Sequence, residues 1–160
     1  MDNNYIFQYW EAIQNGTVTV GKWIKTIYEI LVNGLKSGKW DFDEEKANKA
    51  INFIENFCHH SEGRNDLLKL ELWQKAIVSA IFGIMDKRTG YRQFREVFIV
   101  VARKNGKTLF AAAIAAYMAY IDGEYGAKVY FLAPKLDQAD LVYDAFYQIV
   151  QADDELDSIT

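Results

Sequence analysis

The sequence has one proline, one cysteine and no long apolar run. A single cysteine, Cys58, excludes an internal disulfide and suits a reducing compartment. The most apolar stretch, Leu109–Ile121, falls short of the roughly 20 residues that a membrane span needs, so it predicts a helix buried on nearly all sides. The start, MDNNYIFQYW, lacks a basic stretch followed by an apolar core, so no signal peptide is expected. Positive charge is also not in excess: 18 Lys and Arg stand against 22 Asp and Glu, a net charge of -4. That balance excludes a broad, nonspecific nucleic-acid surface and leaves a local basic patch open. There is no internal repeat and no low-complexity tract. What is present is apolar: 51% hydrophobic and 15% aromatic residues exclude disorder and require a packed core. The length fits one compact domain with a small appendage.

The first sixty residues predict helices. Ile6, Tyr9, Trp10 and Ile13 recur at helical spacing, and Gly16 stands where a C-terminal cap falls. Ile24, Ile27, Tyr28, Leu31 and Leu35 form a second stripe, closed by Ser37 and Gly38. Ala47, Ala50, Ile51, Ile54, Phe57 and Cys58 form a third, ending near Ser61-Glu62-Gly63. Asp41 and Asp43 precede it as candidate N-caps, and Glu44 and Glu45 complement the helix dipole.

The second half changes character. A short extended stretch, Leu68–Leu72, leads to a helix over Trp73–Phe82, and Asp86–Gly90 predicts a turn between two short strands. Val97–Val101 is a continuous run dominated by β-branched residues, as in a strand covered on both faces. A loop at Ala102–Gly106 and a helix over Lys107–Asp122 follow. Gly123 and Gly126 break the chain before a strand at Lys128–Ala133, stopped by Pro134. A last helical stripe holds Ala139, Val142, Tyr143, Phe146, Ile149 and Val150. Strand, helix, strand, helix predicts an α/β fold with a parallel sheet and right-handed crossovers.

Between the first of these strands and its helix lies Val101-Ala102-Arg103-Lys104-Asn105-Gly106-Lys107-Thr108, which keeps the end of G-x-x-x-x-G-K-[ST]. Gly106 permits the tight turn that faces backbone amides toward phosphate oxygens. Lys107 would reach the β- and γ-phosphates, and the Thr108 hydroxyl would be a ligand for Mg²⁺. The following helix offers its N-terminal amides and dipole to an anion. Val101 replaces the first glycine, and a bare Gly-Lys-Thr also occurs in ordinary turns with an exposed lysine. The apolar strand before it and the apolar helix after it favour phosphate. Arg103 and Lys104 add two cations that can stabilise charge on a transferring phosphoryl group, Arg103 being the better candidate. Alternatively, both are solvated loop residues.

The run ARKNGKT after FIVV, with an alanine-rich helix behind it, resembles the deviant Walker A of phage terminase large subunits. Glu71-Leu72-Trp73-Gln74, Ile81-Phe82-Gly83 and Asp122–Ala127 followed by VYFLAPKLDQAD are similar to other elements of that family, and the N-terminal helices agree. The resemblance covers nearly all of the chain. It implies a P-loop NTPase fold of the RecA/ASCE-like type, with an N-terminal helical segment over 1–64 and the first part of the ATPase domain over 65–160.

The resemblance further implies ATP and Mg²⁺ as cofactors, bound by Ala102, Arg103, Lys104, Asn105, Gly106, Lys107 and Thr108. Lys107 and Arg103 would act on the phosphates, Arg103 in cis on the γ-phosphate, and Thr108 would hold the metal. Gln74 would read adenine through its carboxamide, the alternative being an exposed polar residue at a helix start. Lys135 and Gln138 would lie where related translocases couple nucleotide state to DNA, the alternative being a solvated helix start.

The implied function is ATP-driven packaging of double-stranded DNA into a procapsid in the host cytoplasm, in the full-length protein coupled to an endonuclease. The implied partners are DNA, a small terminase subunit, the portal and further copies of the chain; no membrane is implied. Two alternatives are a helicase-like translocase and a non-catalytic interaction module that keeps the fold. A Walker B strand is not evident: Ile149–Glu155 continues the last helical stripe and predicts an acidic helix end. The expectation is therefore an incomplete sheet in a fragment or truncated product that binds nucleotide weakly and turns it over slowly or not at all. Cys58-His59-His60 invites a metal reading, but successive helical residues diverge by about 100° and no second ligand cluster is evident. Cys58 as core and the histidines as a helix end is the favoured reading there. The many aromatics fall mostly at helical apolar positions, which favours core packing over stacking on single-stranded nucleic acid.

Overall fold

The computed structural model describes residues 4–60 and 66–152. The chain divides into two compact units, Met1–Ile51 with Leu70–Phe98 and Asn52–Lys69 with Ile99–Thr160.

The first unit holds α1 (Tyr5–Gln14), α2 (Lys22–Lys36), β1 (Asp41–Phe42), the start of α3 (Glu44–Phe57), α4 (Leu72–Gly83) and β2 (Ile84–Met85). Asn4 caps α1, its Oδ1 accepting from Ile6 N–H at 3.0 Å. Helix α1 packs against α2 and α4 around a core of Ile6, Tyr9, Tyr28, Leu31, Val32, Ala76 and Ile84. The Tyr9 and Tyr28 rings meet edge to face, centroids 4.8 Å apart. The expected α2 stripe needs correction. Ile24 and Ile27 are about half exposed, whereas Tyr28, Leu31, Val32 and Gly34 are buried. The buried side lies one residue further round because Gly34 admits the Trp40 ring, which stands where a Cβ would be.

Asp43 caps α3 as expected, its Oδ1 accepting from Lys46 N–H at 3.0 Å. Asp41 instead opens β1, which pairs antiparallel with β2, Asp41 opposite Met85 and Phe42 opposite Ile84. The chain then turns at Asp86–Gly90 as the sequence predicts. Asp86 Oδ1 accepts from Arg88 N–H at 2.8 Å, Gly90 N–H donates to Asp86 O at 2.8 Å and Asp86 N–H to Tyr91 O at 2.9 Å. Beyond the turn only an isolated bridge, Met85 with Arg92, continues the pairing.

Burial pushes the Tyr28 hydroxyl well above its ordinary pKa, with Tyr9 adding to the shift. The folded state therefore holds this proton longer than the unfolded chain does. Its contribution to stability is complete below the unfolded tyrosine pKa of about 10 and declines above it, by about 1.4 kcal/mol per pH unit for one such group. Urea midpoints should fall from about pH 10 upward, and Tyr28→Phe should make that fall shallower. An identical alkaline limb in the variant would exclude Tyr28 as its source.

The second unit holds the end of α3, then α5 (Lys107–Tyr120) and α6 (Leu136–Gln151). Cys58 is fully buried, and its carbonyl accepts from Leu68 N–H at 2.7 Å. His59 bridges antiparallel to Leu67 rather than ending the helix, which stops at Phe57. The Ser61–Gly63 stop lies outside the described residues. Helix α5 is buried along most of its length, through Phe110, Ala112, Ala113, Ala115, Ala116 and Tyr117. Helix α6 packs against α5 and buries Ala145, Ile149 and Val150. Ile149–Gln151 is helical, as expected, and Asp153–Glu155 lies outside the described residues.

The parallel sheet is not found: β1 and β2 are the only strands among the described residues, giving a mixed helix and sheet structure. Val97–Val101 and Lys128–Ala133 carry no strand pairing. Phe98 is 94% and Leu132 93% exposed. A β-rich run becomes a strand only when a neighbour takes its backbone N–H and C=O groups and layers cover its side chains. Among the described residues neither run has such a partner. No helix among them is long and apolar enough to cross a membrane.

Candidate functional site: the loop before α5

The chain leaves residues 97–101 and enters a tight loop over 102–106. Two of its residues have left-handed backbone, Lys104 at φ 67° and Gly106 at φ 65°. At Gly106 a Cβ would meet nothing within 4 Å, so glycine is needed there for conformation and not for space. Lys104 holds the same conformation without that freedom, which costs a non-glycine residue on the order of 1 kcal/mol. The Asn105 amide ties the loop together, Nδ2 donating to the carbonyls of Ala102 and Arg103 at 3.3 Å each.

Gly106 is the N-cap residue of α5, and its carbonyl accepts from Phe110 N–H at 2.9 Å, closing the first turn. No side chain caps the amides of that turn. Helix N-termini carry unsatisfied donors and a partial positive charge, so an uncapped one with a glycine before it attracts an anion. Lys107 is exposed and Thr108 half-buried at this end, with Arg103, Lys104 and Asn105 exposed beside them. The other end of α5 is fixed by packing: the Tyr117 ring lies 5.7 Å from that of Phe53. Uncapped amides beside a cationic loop are groups that could hold a phosphate. Among the described residues no three His, Cys, Asp or Glu side chains converge as a metal site. A divalent cation here would rest on the Thr108 hydroxyl and on phosphate oxygens.

Ala102 through Thr108 therefore form one contiguous loop and helix start in the second unit, as the sequence groups them. Gln74 belongs to the first unit. It sits at the start of α4, buried and not exposed, at 7% accessibility. Its Oε1 accepts from Glu71 N–H at 2.9 Å, while the Glu71 carboxylate takes a backbone N–H of the same turn, a reciprocal capping box. The sequence signal for this cap is Glu71 three residues ahead of Gln74, so the helix-start alternative holds for its position, though the residue is buried. Lys135 is the N-cap residue of α6, without a side-chain cap bond, and Gln138 lies in the first turn; both are exposed.

Comparison with known proteins adds one match. The family model for the terminase large subunit, ATPase domain, matches residues 72–159, more than half of the chain. No curated protein and no solved structure matches.

Proposed function

The chain belongs to the terminase large subunit ATPase family, and from that premise we propose that it binds ATP with Mg²⁺ at residues 102–108 as part of a motor that packages double-stranded viral DNA. The observation that carries the site is Gly106 in left-handed conformation at the uncapped start of α5. In this reading the loop amides and the α5 N-terminus hold the β-phosphate, and Lys107 offsets charge on the β- and γ-phosphates. The Thr108 hydroxyl is a ligand to Mg²⁺, and Arg103 stabilises charge on the γ-phosphoryl group as it transfers. Bound Mg²⁺ supplies further charge neutralisation on the phosphate oxygens. The procapsid portal, a small terminase subunit and further copies of the chain complete the assembly, at the portal in the host cytoplasm. Family membership favours this over a helicase-like translocase.

A titration with fluorescent ATP, with and without Mg²⁺, tests the reading. Saturable, Mg²⁺-dependent binding is expected. A folded chain that takes up no ATP at about 1 mM, the upper end of ordinary KM values, would overturn it.

Gln74→Ala should lower stability by about 1 kcal/mol, the size of a lost helix cap, because its carboxamide completes the capping box with Glu71. An unchanged urea midpoint in the variant would contradict that role.

A further inference from the structure

The net charge of -4 conceals an uneven surface on the first unit. The last turn of α2, the bend at Gly38 and the Asp86–Gly90 turn carry four exposed cations, Lys36, Lys39, Lys87 and Arg88. The β1–β2 pairing sets the two turns side by side, since Asp41 stands opposite Met85. Lys87 Nζ lies 3.3 Å from where a Cβ on Gly38 would stand and 3.3 Å from Asp41 Oδ1. Lys39 rests over the Trp40 ring at 4.8 Å and Lys36 over Phe7 at 5.9 Å, so both ammonium groups are held against the body of the unit. The Asp86–Gly90 turn is fixed by its own hydrogen bonds.

Among the described residues, Asp41 pairs with Lys87 and Asp86 with Arg88, and Asp86 is engaged by the turn itself, by Arg88 N–H at 2.8 Å and the Arg88 guanidinium at 3.4 Å. The pairs are solvent-exposed, the Arg88 side chain at 88%, and exposed pairs of this kind contribute about 0–1 kcal/mol. A polyanion can displace such weak partners.

We propose that this electropositive end of the first unit is a contact surface for the phosphate backbone of double-stranded DNA. The DNA partner rests on the proposed function; the surface rests on its own charges. A protein partner fits less well, because protein interfaces are depleted of charge at their centre, and here charged groups occupy the centre. Lysine and arginine heads on a fixed turn suit phosphate, which they meet without reading sequence.

The test is fluorescence anisotropy of the full chain with a labelled 30-base-pair duplex across a salt series, beside Lys87→Gln/Arg88→Gln and, as a second variant, Lys36→Gln/Lys39→Gln. Each phosphate contact adds about 0.9 to the slope of log K against log salt. Each double variant should weaken binding about tenfold at low salt and flatten the slope by about 1.8. Unchanged slopes in both variants overturn the surface. So does failure of the chain to bind duplex while it binds nucleotide, an outcome that leaves the proposed function standing. Duplex binding with the expected slopes but no nucleotide binding supports the surface and defeats the nucleotide site. Labelled polyglutamate of equal charge binding as tightly as duplex would make this a site for an acidic protein and overturn the DNA assignment.

Discussion

Lys107→Ala is expected to lower the affinity for MgATP by on the order of 100-fold, the size of one charge-assisted hydrogen bond lost, about 1.5–3 kcal/mol. Lys107 opens α5 and is exposed, so it contributes little to folding and its removal leaves the helix packed. Its ammonium would meet two phosphate groups at once. At an effective dielectric near 20, a unit charge about 4 Å away is worth about 4 kcal/mol, an upper bound on what the side chain supplies. Arg103→Ala should reduce affinity less, because a residue that acts on the γ-phosphoryl group during transfer works mainly in the transition state. Fluorescent-ATP titration of the three proteins, with far-UV circular dichroism to confirm the fold, gives the answer. Equal affinity for wild type and Lys107→Ala would place any nucleotide elsewhere.

How much of this was legible in the sequence follows from what each feature depends on. Local features could be read. The α1 face of Ile6 and Tyr9, the Asp43 cap, the turn at Asp86–Gly90 and the left-handed glycine before α5 all depend on a few neighbouring residues. The burial of α5 could be read too, because an alanine-rich helix has no polar face to show to water. Features set by distant partners could not. The pairing of Asp41 with Met85 joins residues far apart in sequence, and nothing in the two-residue strands announces it. The buried side of α2 is decided by Trp40 filling the space over Gly34, not by the periodicity of α2 alone. Val97–Val101 and Lys128–Ala133 have the composition of strands, but composition states a preference and a sheet requires a neighbour.

The candidate site divides the same way. The loop from Ala102 to Thr108 is contiguous, so its residues gather by chain connectivity. Gln74 divides within itself: its capping box with Glu71, three residues away, is local, whereas its burial is set by distant packing. The cationic end of the first unit was legible only as an allowance that a net negative chain can still carry a basic patch. Folding, through the β1–β2 pairing, sets Lys87 beside Gly38 and Asp41.

Tyr117→Ala is expected to destabilise the second unit by about 3–5 kcal/mol, as large aromatic truncations in cores do. Tyr117 is 2% exposed, among the largest fully buried side chains of the chain, and its ring tilts against Phe53 at 5.7 Å. Ala113 and Ala116, buried beside it on α5, are too small to fill the space left behind. For a chain of this length about 4 kcal/mol lowers Tm by roughly 10 °C. Tyr117→Phe keeps the ring volume and should cost far less. Ten residues of helix separate Tyr117 from Lys107, about 15 Å at 1.5 Å per residue. The variant, measured well below its melting temperature, should therefore keep nucleotide affinity close to wild type while its Tm falls. Affinity lost together with stability at low temperature would mean that the loop geometry depends on the packing of the far end of α5. An unchanged Tm would contradict the role of Tyr117 as the anchor of that helix.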